Sequence, residues 1–202
     1  KRRIHPKLLS WRFSPDARRM WVSFLPAALG AGGLQLNLLV DTILASLLNV
    51  GAISWLYYAD RIAQLPLGIV GIALGTALLP RLSALEAIGK SEDIAGELSS
   101  GLKTASFFVL PATAAIIVIA EPILRGLFLS GAFTAEDAYY ASLALIAYGV
   151  GLPAFVGNKI LQPAFYAAGH AKTVLKLSIV SVLVNLCLSL VLMQIFAHAG
   201  LA

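Results

Sequence analysis

The segment AISWLYYADRIAQLPLGIVGIALGTALLP, residues 52–80, decides the fold. It is apolar almost throughout, yet it carries Asp60 and Arg61 side by side some two helical turns from its start. Its charge-free part, Ile62–Pro80, comes close to the roughly 20 residues that cross the hydrocarbon of a bilayer as helix. Val22–Val40 and Thr104–Ala120 approach that length, and Ala138–Asn158 and Leu177–Ala197 exceed it. Five transmembrane helices are predicted, at 21–48, 53–80, 102–120, 137–157 and 173–197. Barrel strands would be shorter and would alternate apolar with polar residues, which these runs do not.

Composition agrees. The chain is 59% hydrophobic and 12% charged, with a mean hydropathy of +0.85. A soluble domain carries about twice that share of charge. The net charge of +5 is an end effect: residues 1–20 hold seven Lys/Arg and one acid, leaving the rest of the chain slightly acidic. A basic segment next to a membrane meets anionic lipid, and nucleic acid is not an expected partner. The single Cys187 lies in an apolar run, so neither a disulfide nor a thiolate metal cluster is implied. The chain opens at Lys1 without a methionine or signal-peptide pattern, and is expected to be a piece of a longer protein.

The positive charges orient the bundle. Of the fifteen Lys/Arg, thirteen precede the first span or flank the loops after spans two and four; Arg125 alone falls on the other side, and Arg61 is inside a span. This asymmetry places the N-terminus and those loops in the cytoplasm, and five spans leave the C-terminus outside. Residues 1–20 then form a cytoplasmic basic segment and 21–202 the helix bundle. Ser14 can cap a short helix with Pro15 in its first turn, and Trp11, Met20 and Trp21 with Arg12, Arg18 and Arg19 suit an amphipathic helix lying in the interface. The loop 81–103 reads as a separate solvated helix. Residues 121–136, EPILRGLFLSGAFTAE, read as a short interfacial or re-entrant piece, followed by a capping-box spacing at Thr134 and Asp137.

An arginine inside a span costs about 3 kcal/mol on insertion scales and faces the bundle interior or a wet cavity. Asp60 and Arg61 point about 100° apart on a helix and neutralise each other poorly. Three readings of Arg61 stand. It pairs with Asp41, which an antiparallel hairpin brings to similar depth, roughly 12 Å below the turn; it faces a cavity and offers its planar fork of donors to a phosphate or carboxylate; or it snorkels to the outer surface, which its depth disfavours. Ser178, Ser181, Asn185 and Ser189 share one face of span five. They are either interhelical hydrogen-bond glue or, with the charge of Asp41, an oxygen-lined wall for a small hard cation. Gly68, Gly71 and Gly75 signal close helix packing. Gly30, Gly32 and Gly33, followed by Gln35 and Asn37, and Pro66 and Pro153 elsewhere, signal bent helices beside a cavity. His5, His170 and His198 lack metal-ligand spacing, and no G-x-S-x-G, P-loop or H-E-x-x-H occurs, so an enzyme is not expected.

QLNLLVDTILASLL, the opening segment with its continuation PRLS, LFLSGAFTAEDA, ALIAYGVGLPAF and KILQPAFYAAGHAKTVLK together resemble, in order from about residue 20 to 195, the MurJ/MviN lipid II flippases of the multidrug/oligosaccharidyl-lipid/polysaccharide exporter superfamily. The resemblance implies part of a MATE-like, two-lobe transporter of fourteen helices, this piece corresponding to helices seven to eleven. It implies movement of undecaprenyl-pyrophosphate-linked peptidoglycan precursor (lipid II) to the outer leaflet by alternating access, in the bacterial inner membrane, with the N-terminus of the piece cytoplasmic and its C-terminus periplasmic. Arg61 would meet the pyrophosphate, with Asp60, Asp41 and Asn37 lining or charge-balancing the cavity. Some members bind sodium at positions matching Asp41 and Asn185; where those can carry a further carboxylate, this chain has Ser189. No other cofactor is implied. The partners would be lipid II, membrane lipids, and the N-terminal lobe and C-terminal helices of the same protein, without which this piece is not expected to flip lipid. The alternative readings are an exporter of another polyprenyl-linked saccharide or drug, and a non-transporting membrane scaffold.

Overall fold

The computed structural model describes Trp21, Phe24, Gly32 and residues 35–202. The amphipathic helix expected within 1–20 lies outside the described residues, as does most of 21–34. Residues 35–46 form α1, the end of the first expected span, and a turn over 47–51 leads into α2, Ala52–Pro66. A six-residue π-helical stretch, Leu67–Ile72, continues α2 directly into α3, Ala73–Ala87. The remaining helices are α4, Ser91–Phe128, α5, Ala135–Ala167, and α6, Ala171–Phe196, closed by a 3₁₀ turn, Ala197–Leu201. Among the described residues four helical stretches are long and apolar enough to cross a membrane: Ala52–Ala87, Glu92–Phe128, Ala135–Ala167 and Ala171–Leu201. Together with α1 these make an all-helical bundle of five.

Two loop expectations need correction. The loop 81–103 is not a separate helix. It is the end of α3 and the start of α4, broken only at Ile88–Lys90, where Gly89 takes a left-handed φ of 71°. The Gly89 and Lys90 N–H groups bond the Glu86 and Leu85 carbonyls, a Schellman stop that terminates the helix without a long loop. Arg81 and Glu97 then face each other across the hairpin at 3.7 Å. Residues 121–128 are likewise no re-entrant piece. α4 continues through them after a kink at Ile119 (φ −115°, ψ 20°), three residues before Pro122. Proline lacks the N–H that would bond the i−4 carbonyl and its ring crowds that carbonyl, so the helix bends one turn before it.

α5 is the hub. It packs against α2, the π stretch, α3 and α4, burying Leu145, Leu152, Val156 and Ile160. Its start is fixed by the expected capping box: Thr134 Oγ1 accepts from the Asp137 N–H at 3.2 Å, and Asp137 Oδ2 accepts from the Thr134 N–H at 2.8 Å. Asp137 also accepts from Trp55 Nε1 of α2 at 2.8 Å. Trp55 stacks on Tyr140 with ring centroids 4.5 Å apart, and the buried His198 packs edge-on to both rings while its Nε2 sits 2.7 Å from the Tyr140 carbonyl. This clasp ties the N-terminal ends of α2 and α5 to the C-terminal turn. By contrast α6 buries only Val174 and Ser189 and leaves Leu177, Val180, Leu183 and Val184 exposed, an apolar surface suited to lipid or further helices.

Candidate functional site

The turn of α2 from Tyr57 to Gln64 answers the question raised by adjacent charges in an apolar span. Ala59, Ile62 and Ala63 are buried and hold one side of this turn against its neighbours. The opposite side, Tyr57, Arg61 and Gln64, is exposed. Each of the two charged side chains has a partner one turn away. The Arg61 guanidinium lies over the Tyr57 ring, 4.6 Å from its centroid, and the Gln64 amide donates to the Asp60 carboxylate. Among the described residues Arg61 is in no ion pair. The Asp41–Arg61 pairing is therefore corrected: Asp41 turns instead toward α6, where Ser189 Oγ donates to its carboxylate at 3.4 Å.

Asp60 and Gln64 line a half-open cavity of about 350 Å³ along the seam between α2, the π stretch and α5. Tyr148 and Lys159 supply its other polar groups, and Leu67, Leu152 and Phe155 its apolar walls. Gly71 and Gly75 pack as expected: a Cβ on Gly71 would sit 3.5 Å from the Val156 Cα, and one on Gly75 would collide with the Lys159 carbonyl. Gly68, third in the same series, meets nothing within 4 Å because it opens onto the cavity. Arg61 stands on the turn that borders this cavity and is not itself among its lining residues.

A second polar group joins α1 to α6. Each connection reverses the chain, so these two helices run the same way through the bundle. Asn37 lies one turn before Asp41, and Asn185 one turn before Ser189, both displaced in the same direction from the Asp41–Ser189 contact. The side-chain oxygens of Asn37 and Asn185 are buried and have no hydrogen-bond partner among the described residues. Uncompensated buried oxygens of this kind are costly. One carboxylate, one hydroxyl and two such amide oxygens fit a hard cation of the sodium class, whose ligands are oxygens. Among the described residues no group of three His, Cys, Asp or Glu is placed to hold a metal ion. Of the stripe on span five, Ser189 and Asn185 join this group, while Ser181 is exposed.

The family model for the lipid II flippase MurJ matches residues 1–202, the whole chain. The chain belongs to the MurJ lipid II flippase family. A probable lipid II flippase MurJ of Vibrio cholerae serotype O1 is 36% identical over 199 residues, covering 98% of this chain and 38% of that protein. One of Rhizobium meliloti is 42% identical over 191 residues, covering 95% of this chain and 36% of its own length. Among solved structures, a lipid II flippase MurJ in an inward closed conformation superposes with a TM-score of 0.79 at 27% identity, covering 95% of this chain and 41% of that one. The chain thus spans little more than a third of the length of these MurJ relatives. With its apolar helices, membership of the family makes it part of a multi-pass membrane protein.

Residues with a place in the site that the sequence reading did not single out are Tyr57, Gln64, Tyr148 and Lys159. For the first two the signal was present: each stands one helical turn from a charge that needs a partner.

Proposed function

We propose that this chain is the opening part of the second lobe of a lipid II flippase of the bacterial inner membrane, with its N-terminus cytoplasmic and its C-terminus periplasmic, and that Arg61 binds the pyrophosphate of the lipid headgroup. The observation that carries the reading is the state of Arg61: a guanidinium within an apolar helical bundle, exposed on its own helix and in no salt bridge among the described residues. Its delocalised charge and planar fork of N–H groups match pyrophosphate oxygens two at a time. The adjoining cavity adds Lys159 for further anionic groups and Asp60, Gln64 and Tyr148 for hydrogen-bonding ones. The headgroup enters from the cytoplasmic side, the two lobes rock about it, and it is released outward while the polyprenyl tail stays in the bilayer. The partner surfaces are the other lobe and the C-terminal helices of the same protein.

Asp41, Asn185 and Ser189, with Asn37 a turn away, are the residues that would hold sodium. The ion, when bound, would supply a positive charge that helps bias the inward and outward states, since each elementary charge moved through the membrane field carries about 2.3 kcal/mol per 100 mV.

The test is complementation and lipid II translocation by the full-length protein carrying Arg61→Ala or Arg61→Lys. Arg61→Ala is expected to abolish both. Arg61→Lys, which keeps the charge and loses the fork, is expected to restore a minor part. Unimpaired flipping by both variants, at normal levels in the membrane, overturns the reading.

A further inference from the structure

An anion-binding arginine has to be held in place without being neutralised. A carboxylate partner would engage the same in-plane N–H donors that a headgroup needs. In α2 the nearest carboxylate, Asp60, accepts a hydrogen bond from Gln64 one turn further on and forms no salt bridge with Arg61. The Arg61 guanidinium instead rests over the face of Tyr57, 4.6 Å from the ring centroid. This contact uses the negative face of the ring and leaves the N–H fork at the edge of the guanidinium plane uncommitted. We infer that Tyr57 is a positioning residue for headgroup binding: its ring holds the Arg61 guanidinium so that a pyrophosphate meets a fork already in place. The inference rests on the reading of Arg61 given above.

The two consecutive tyrosines divide their work by helix face. Tyr58 packs against Phe128 at 4.7 Å and Phe133 at 4.9 Å, joining α2 to the end of α4. Tyr57 is 53% exposed and lies outside the core. Side chains on a helix lean toward its N-terminus, so Arg61 reaches back over the residue four positions earlier, which is Tyr57. Holding a long side chain in its bound direction lowers the rotamer entropy lost when the ligand arrives.

The experiment measures lipid II binding to the purified full-length protein with Tyr57→Leu, Tyr57→Phe, Arg61→Ala and the Tyr57→Leu/Arg61→Ala pair, alongside melting temperatures. Tyr57→Leu is expected to weaken binding by about three- to thirty-fold, the span of a cation–π contact from exposed to desolvated. Tyr57→Phe keeps the ring and is expected to bind like the parent. In the Arg61→Ala background, Tyr57→Leu is expected to cost nothing more. If Arg61→Ala weakens binding while Tyr57→Leu does not, or if Tyr57→Leu costs the same in both backgrounds, the positioning role is overturned and the Arg61 reading survives. If Arg61→Ala leaves binding unchanged, the Arg61 reading itself falls. Should Tyr57→Leu not accumulate, Tyr57→Met is read in the same way; failure of both to accumulate assigns Tyr57 a structural role and overturns the inference.

Discussion

Ser189 of α6 donates a hydrogen bond to the carboxylate of Asp41 of α1 at 3.4 Å, joining the first and last helices of the bundle across 148 residues of chain. The contact is long for an O–H···O bond, for which about 2.7–2.8 Å is usual. One turn away the Asn37 and Asn185 side-chain oxygens have no hydrogen-bond partner among the described residues, so the group holds acceptors that no donor there satisfies.

That imbalance leads to the first prediction. Sodium is expected to raise the melting temperature of the full-length protein relative to choline at equal ionic strength, by an amount that grows with concentration as binding to the folded state requires. Asp41→Asn and Asn185→Leu are expected to remove the rise, and Ser189→Ala to reduce it. Equal melting in both salts, or a full sodium effect in Asp41→Asn, disproves the cation site.

The glycines of the second span make a paired prediction. A methyl on Gly75 meets the backbone carbonyl of Lys159, which cannot rotate away, so α3 and α5 must separate. Gly75→Ala is expected to cost about 1–3 kcal/mol, in the range of overpacking. Gly68→Ala adds its methyl to open space and is expected to stay within about 0.5 kcal/mol. Unfolding in mixed detergent would compare the two. Equal destabilisation would contradict the seam as described.

Trp55 separates a hydrogen bond from a stacked ring. Trp55→Phe removes the N–H that reaches Asp137 but keeps an aromatic face for Tyr140. The loss should be about 1.5 kcal/mol, the low end for a bond to a charged acceptor, because Thr134 still donates to the same carboxylate. Trp55→Ala also empties the clasp around His198 and should cost about 3–5 kcal/mol. A Trp55→Phe protein as unstable as Trp55→Ala would show that the hydrogen bond, and not the stack, dominates.

The spans were legible because the length of an apolar run and the thickness of a bilayer are the same physical quantity. The helix ends were not. Helices α3 and α4 extend past the apolar runs into polar sequence, where hydropathy falls although the backbone pattern continues. Residues 121–136 read as a separate interfacial or re-entrant piece, but α4 runs on through Pro122 to Phe128 and merely bends at Ile119. In the site, Arg61 stood out because charge in an apolar run is expensive, and the polar face of span five stood out by its spacing. The partner of Asp41 was not legible. Depth in the hairpin favoured Arg61 as much as the stripe favoured Ser189, and only the azimuth of α1 decides between them. Tyr57 was overlooked because an aromatic residue in a membrane helix attracts no notice unless its one-turn spacing from a cation is weighed.

The π stretch Leu67–Ile72 has a geometric consequence for everything above it. An unbroken α-helix advances 100° per residue, which would set Arg61 and Gly75 about 40° apart, both turned toward α5. A π turn takes up one additional residue and retards the winding by roughly that residue's share. The offset lets Ala59 and Ala63 face inward in the upper half and Gly71 and Gly75 face inward in the lower half, while Arg61 emerges on the far side. Excising one residue between Leu67 and Ile72 would cancel that phase shift, and the chain could then seat its glycines or free its arginine, but not both.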